Sequence, residues 1–296
     1  LKESGGDPRR IADIRGLLRT YLSRITPGYR YTGPVYREIG MQNSDFGGME
    51  NVGNTTITTN RLMPFPQMPD SAWDYPFRVK VHEYYHTLNG SEVTGTSPFE
   101  LWLNEAVTVF VENKNHDFLF GEEYNRLQTV LTLFAPEGGT LALDSGAMAM
   151  PVEPDGFNDP NDLITGVTYV KAPEFVRMVE SLLGREAFAR ALHLYHTRFR
   201  HGNASRADWI ACMEEAGKQD FAGMAQVWLK ETGYPVVTVT EAYDGASRAF
   251  TLALRVTRSK GGGIWEFPFS YALVGEKGEV MAEGMQRIRS DREVIT

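Results

Sequence analysis

The sequence predicts an α+β fold, a largely helical unit followed by an all-β module, and three observations carry that prediction. Through about residue 232 the apolar residues recur at helical spacing in one segment after another. From Gly233 onward they alternate with period two between turn signals. At 296 residues the chain is also too long for one ordinary core, so two domains are expected, residues 1–232 and residues 233–296.

The elements follow in order. The stretch "DPRRIADIRGLLRTYLSR" sets Ile11, Ile14, Leu17, Leu18, Tyr21 and Leu22 at helical spacing, and Asp7 followed by Pro8 opens it. The Gly-, Asn- and Thr-rich segment "YREIGMQNSDFGGMENVGNTTITT" predicts a strand entered through a close-approach glycine pair. Two helices are expected next, Phe77 to about Leu88 and about Phe99 to Glu112. Residues 150–166, "MPVEPDGFNDPNDLITG", carry three prolines and read as a long loop of the kind that walls a site. The segments "APEFVRMVESLLG", "REAFARALHLYHTRF", "SRADWIACMEEAG" and "FAGMAQVWLKETG" then read as stacked helices, each stopped by Gly or a polar turn. In the β module "YPVVTVTEAYDG", "SRAFTLALRVT", "IWEFPFSYALVG" and "EVMAEGMQRI" form an antiparallel sheet or part of a sandwich, with "SKGGG" a flexible hairpin connection.

Composition narrows the function. A net charge of −8 argues against nucleic acid or an anionic membrane as partner, since either would repel an acidic surface. No apolar run approaches the roughly 20 residues of a membrane span. The single cysteine, Cys212, allows no intramolecular disulfide and fits a reducing, cytoplasmic compartment. The polar start lacks the apolar core of a secretory signal. A chain that begins with leucine and stops just after a strand reads as a fragment.

The chemistry centres on "VHEYYHTLNG", residues 81–90. On a helix, positions i and i+4 share a face, so His82 and His86 can offer two imidazole nitrogens to one ion, with Glu83 beside it. Catalytic zinc takes three protein ligands and keeps one open position. Glu105 in "ELWLNEAVTVFVE", separated from His86 by eighteen residues, is the candidate for the third. Glu112 lies two turns farther on the same face, where it could accept the free N–H of a ligating histidine.

The chain resembles the aminopeptidase N family of zinc metallopeptidases, the gluzincins. It carries "GGMEN" at 47–51, "HEYYH" at 82–86, "NEA" at 104–106 and "TYVKAPEF" at 168–175, in that family's order and at about its spacings. "WLKETGYPVVTV" resembles the family's junction between helical domain and sandwich. The resemblance implies a thermolysin-like catalytic domain with a mixed sheet and many helices, one zinc ion on His82, His86 and Glu105, and Glu83 as general base. It makes Tyr169 the donor to the reaction's oxyanion, although this chain has Ala172 where the family has glycine after the lysine. It also implies that Gly47, Gly48 and Met49 pair with a peptide backbone while Glu50 meets the free α-ammonium of a peptide substrate. An N-terminal β domain and a C-terminal helical domain accompany the site in the family, so missing domains of the parent protein are expected partners. Two other readings stand beside the aminopeptidase: a gluzincin endopeptidase or epoxide hydrolase, and a catalytically inactive peptide-binding fragment.

The remaining features read as structure. His193 and His196 have no acid in ligand register, Met148, Met150 and Met178 suit a core better than a side-chain pocket, and Cys212 is a small core residue.

Overall fold

A computed structural model describes residues 29–44, 46–62 and 67–296. The helix expected over Ile11–Leu22 lies outside the described residues. What is described begins with three short strands, β1 (Glu38–Met41), β2 (Gly48–Met49) and β3 (Thr55–Thr58), ordered β1-β3-β2 with β1 parallel and β2 antiparallel to β3. The β-branched run of β3 suits the central position, and Thr55 and Ile57 are fully buried. After a single turn, α1 (Thr59–Leu62), comes α2 (Asp70–Tyr85).

Helix α2 starts seven residues before the expected Phe77, because Pro76, a residue that ordinarily opens a helix, lies inside it. It stops at Tyr85, and the turn from His86 to Leu88 continues its hydrogen bonding, His86 N donating to His82 O at 3.1 Å. Helix α3 (Leu101–Phe120) is entered through a 3₁₀ turn, Pro98–Glu100, that Ser97 caps by accepting from Phe99 N at 3.2 Å. It runs eight residues past the expected Glu112, to Gly121 at φ 101°. Buried residues nearly encircle its first half, from Trp102 to Val111, so it is the central rod of the molecule and shows no amphipathic pattern from which an end could be read.

Around α3 pack α4 (Glu122–Phe134), α5 (Thr140–Ser145), α6 (Ala172–Leu183), α7 (Arg185–Arg198), α8 (Arg206–Gly217) and α9 (Ala222–Lys230). Trp102, Phe175 and Trp209 bring α3, α6 and α8 together, with Trp102 and Trp209 edge to face at 5.5 Å between centroids. A three-residue parallel pairing of β4 (Val93–Gly95) with β5 (Gly202–Ala204) ties the turn after α2 to the turn after α7. The proline-rich stretch at 150–166 is loop apart from a capped 3₁₀ turn, Pro160–Leu163, and leads into a five-residue π-helix, Val167–Lys171, continuous with α6. Met178 packs on the core, and Met148 is 91% exposed.

Strands β6 (Pro235–Asp244), β7 (Ala249–Arg258), β8 (Phe267–Val274), β9 (Val280–Ile288) and β10 (Arg292–Ile295) make two sheets, β10-β7-β6 and β8-β9. The period-two pattern is thus realised as strands, and the fold is α+β. One expectation is corrected: "SKGGG" closes no hairpin, since β7 and β8 belong to different sheets and the glycines carry the chain from one to the other. The reason lies in burial. Trp265, just beyond the glycines, is 1% exposed and packs edge to face on Trp228 of α9, which diverts the chain toward the helices. The apolar core accordingly runs without a break from α3 through α9 into Leu254, Val256, Phe267 and Ile288.

Candidate metal centre

Helix α2 and helix α3 cross so that His82, His86 and Glu105 face one another. His86 Nε2 lies 3.0 Å from His82 Nε2, and Glu105 Oε2 is 3.2 Å from the first histidine named in the motif and 3.4 Å from the second. The other ring nitrogens decide the tautomers. His86 Nδ1 donates to the backbone oxygen of Asn89 at 2.9 Å, and His82 Nδ1 donates to Glu112 Oε2 at 3.2 Å. Both Nε2 atoms therefore present lone pairs, and the carboxylate oxygen presents a third, to one point. Three acceptors held about 3 Å apart repel one another, and Glu105 Oε2 is buried with no hydrogen-bond partner among the described residues. A cation resolves the conflict: donors about 2.0–2.1 Å from a tetrahedral ion stand about 3.3 Å apart, so the set fits a metal.

The electrostatics agree. Burial works against charge on His82, yet the adjacent carboxylates of Glu105 and Glu112 outweigh it and hold the imidazole pKa well above its ordinary value, so the cluster draws a positive charge to this point, a proton where no ion competes for it. Burial pushes Glu105 up, and its two histidine partners more than reverse this, holding it far below the usual carboxylate range. Burial raises the Glu83 carboxyl to about 7, with the histidines pulling it down and Glu50 and Glu105 adding to the rise.

Several residues that sequence reasoning passed over build this arrangement. Arg78, one turn before His82, donates to Glu112 Oε1 at 3.2 Å and to Asn113 Oδ1 at 2.9 Å, which fixes the carboxylate that receives His82. Asn89 holds His86 through its backbone oxygen, while its side-chain amide donates to Leu103 O at 2.9 Å and Asn104 O at 3.0 Å, and its Oδ1 accepts from His196 Nε2 at 3.2 Å. Of the second histidine pair, His196 is thus a buried structural residue and His193 is exposed. Neither Arg78 nor Asn89 carries a signal in sequence, because Arg78 acts on residues of another helix and Asn89 holds His86 through its backbone oxygen.

The "GGMEN" segment lies against α2. Gly48 sits in β2, and a β-carbon there would overlap the Glu83 carboxylate, so only glycine permits this approach. Met49 is 44% exposed, and Glu50, partly buried, is near enough to raise the pKa of Glu83. Gly47 leaves similar room for Arg61. Tyr169 enters from the π-helix, its ring nearly parallel to that of His82 at 6.4 Å between centroids. Its pKa is raised by burial first, then by the nearby Glu105 carboxylate. Ala172 takes an ordinary right-handed helical conformation, φ −64° and ψ −37°, so alanine serves where a glycine is not required.

A family model, the Peptidase family M1 domain, matches residues 18–228. The chain belongs to that family. Among curated relatives of this M1 domain, Aminopeptidase N of Escherichia coli (strain K12) is 30% identical over 231 residues, 77% of this chain and 26% of that protein. Aminopeptidase N of Caulobacter vibrioides is 31% identical over 226 residues, 76% of this chain and 26% of that protein. Tricorn protease-interacting factor F2 of Thermoplasma acidophilum is 26% identical over 263 residues, 88% of this chain and 33% of that protein. The M1 domain thus spans a quarter to a third of the length of these relatives. A crystal structure of Legionella pneumophila aminopeptidase A in complex with aspartic acid superposes with a TM-score of 0.83 at 20% identity, over 96% of this chain and 31% of that one, a likeness of fold. Among the described residues no helix is long and apolar enough to cross a membrane.

Proposed function

We propose that this M1 domain is the catalytic unit of a zinc-dependent aminopeptidase that removes the N-terminal residue from peptides. The observation that carries the reading is the convergence of His82, His86 and Glu105 beside a glutamate, Glu83, that is itself pressed against the "GGMEN" strand. Two imidazoles and one carboxylate are a donor set suited to catalytic zinc, and the aminopeptidase relatives support the same assignment. A zinc ion held there would supply Lewis acidity, acidifying water and polarising a scissile carbonyl.

The chain's own residues account for the rest. Glu83, beside His82 and pressed against β2, is placed to take a proton from water and return it to the leaving amine. Tyr169 keeps its hydroxyl proton and can donate it to the developing oxyanion. Gly48 and Met49 form an edge on which an extended peptide can add, since among the described residues β2 pairs with β3 alone. Glu50, next along the chain, is the carboxylate for a free α-ammonium, a charge-assisted pair that an internal peptide cannot make.

The test is hydrolysis of a panel of aminoacyl chromogenic amides, with and without a blocked α-amine, alongside metal content. The expected result is one zinc per chain, turnover of the free-amine substrates alone, and a fall of roughly 10²–10⁴-fold in Glu83→Ala with zinc retained. Equal turnover of blocked and free substrates would remove the exopeptidase assignment. Zinc binding without turnover of any substrate would remove the claim that this chain by itself is catalytic.

A further inference from the structure

Lys171, the lysine of "TYVKAPEF", has no part in the chemistry above, yet it is among the most deeply placed charges in the molecule. Its side chain is 2% exposed and that of its partner Asp144 is 0% exposed. Its ammonium has three protons and three acceptors: Asp144 Oδ2 at 2.7 Å, Gly233 O at 3.0 Å and Glu231 O at 3.4 Å. The ring of Trp265 lies 5.3 Å from the same nitrogen, and Asp144 Oδ2 accepts a further bond from Gly233 N at 3.1 Å. One side chain thereby joins four parts of the fold: the π-helix, α5, the segment entering β6, and the tryptophan that precedes β8.

Stability does not explain such a pair. Two charges taken out of water lose about as much as they regain from each other, and apolar residues of similar size would hold the core as well. What the pair adds is direction, since three fixed acceptors leave an ammonium one place to be. Lys171 ends the five-residue π-helix whose third residue is Tyr169. Such a turn departs from α-helical bonding and persists where its surroundings hold it, often beside a functional group. On its other face the same turn sets the Tyr169 ring against that of His82, 6.4 Å between centroids, which places Tyr169 at the metal centre.

We propose that Lys171 is a positioning residue, which locks the π-helix to Asp144 and to the Glu231–Gly233 carbonyls so that the Tyr169 hydroxyl is aimed at the metal centre. The proposal rests on the aminopeptidase reading for what that hydroxyl does, and on geometry alone for where it is held. It also makes the segment leading into the β strands part of the site's support.

The experiment places 3-fluorotyrosine at position 169 of the whole zinc-loaded chain and records its ¹⁹F resonance in the parent and in Lys171→Met/Asp144→Asn, which removes both charges together. The expected result is a shifted and broadened resonance with one zinc still bound. In turnover assays kcat falls on the order of tenfold to a hundredfold with KM within about twofold. Added to Tyr169→Phe, the same pair of changes costs less than about twofold, because its effect passes through the missing hydroxyl. An unchanged resonance, or losses that multiply in the Tyr169→Phe background, would overturn the proposal. If the double variant does not fold, Lys171→Arg gives the same readouts, since it keeps the charge but substitutes a planar fork for three diverging donors. Should the parent chain turn over no substrate, the claim that this chain by itself is catalytic falls and the resonance alone decides the role of Lys171.

Discussion

Gly48 is a position where one hydrogen atom decides what the neighbouring acid can do. The Glu83 carboxylate occupies the space a β-carbon would need, so Gly48→Ala must push either the strand or the acid away. The expected outcome is a loss of roughly tenfold to a hundredfold in kcat with zinc content unchanged, read by steady-state kinetics beside metal analysis. An undiminished kcat would mean that the contact has no bearing on the reaction. At this scale the local chemistry was legible. His82 and His86 share a face because a helical turn puts i and i+4 together, and no distant residue is needed to deduce it. Their orienting partners were legible only in part. Glu112 could be named from its register with Glu105, whereas Arg78 acts across elements and Asn89 holds His86 through a backbone oxygen, which no residue type marks.

Between elements, one amide ties the turn after α2 to α3. Asn89 donates to two carbonyls of the first turn of α3 and receives His196 from α7, while its own backbone oxygen holds His86. Asn89→Ala leaves His196 Nε2 without its acceptor and frees the turn that carries the backbone oxygen on His86 from its tie to α3. It is expected to cost about 2–4 kcal/mol in denaturant unfolding and to weaken zinc retention against a chelator, both from the same substitution. A loss of stability with zinc retention intact would show that the turn tolerates the change. Element ends were the least legible feature. The start of α2 is hidden by Pro76, and the end of α3 by burial on nearly every side, since a helix surrounded by protein has no polar face to mark its period. The π-helix that carries Tyr169 has no signature of its own, because its bonding pattern is imposed by what packs on it.

Across the whole molecule, the acid sensitivity of the fold should be traceable to His196. Burial drives its imidazole pKa down to about 3, against about 6.5 in an unfolded chain. Between those values the unfolded state binds one more proton than the folded state. Stability therefore rises with pH across that window and is lost as pH falls from about 6.5 toward 3, with a slope from this group approaching about 1.4 kcal/mol per pH unit. Denaturant unfolding over this range should show a shallower acid loss in His196→Gln, which can still donate to Asn89. Parallel curves for the two proteins would assign the sensitivity elsewhere. By itself the sequence determined the α+β class, the helical and strand regimes and the motif residues on α2 and α3, because periodicity and spacing are local properties that each segment carries alone. Tertiary structure decided the division of the late strands into two sheets, the burial of Lys171 on Asp144 and the union of helices and strands in one core. Each of those depends on which distant surfaces exclude water together, and no single segment encodes that.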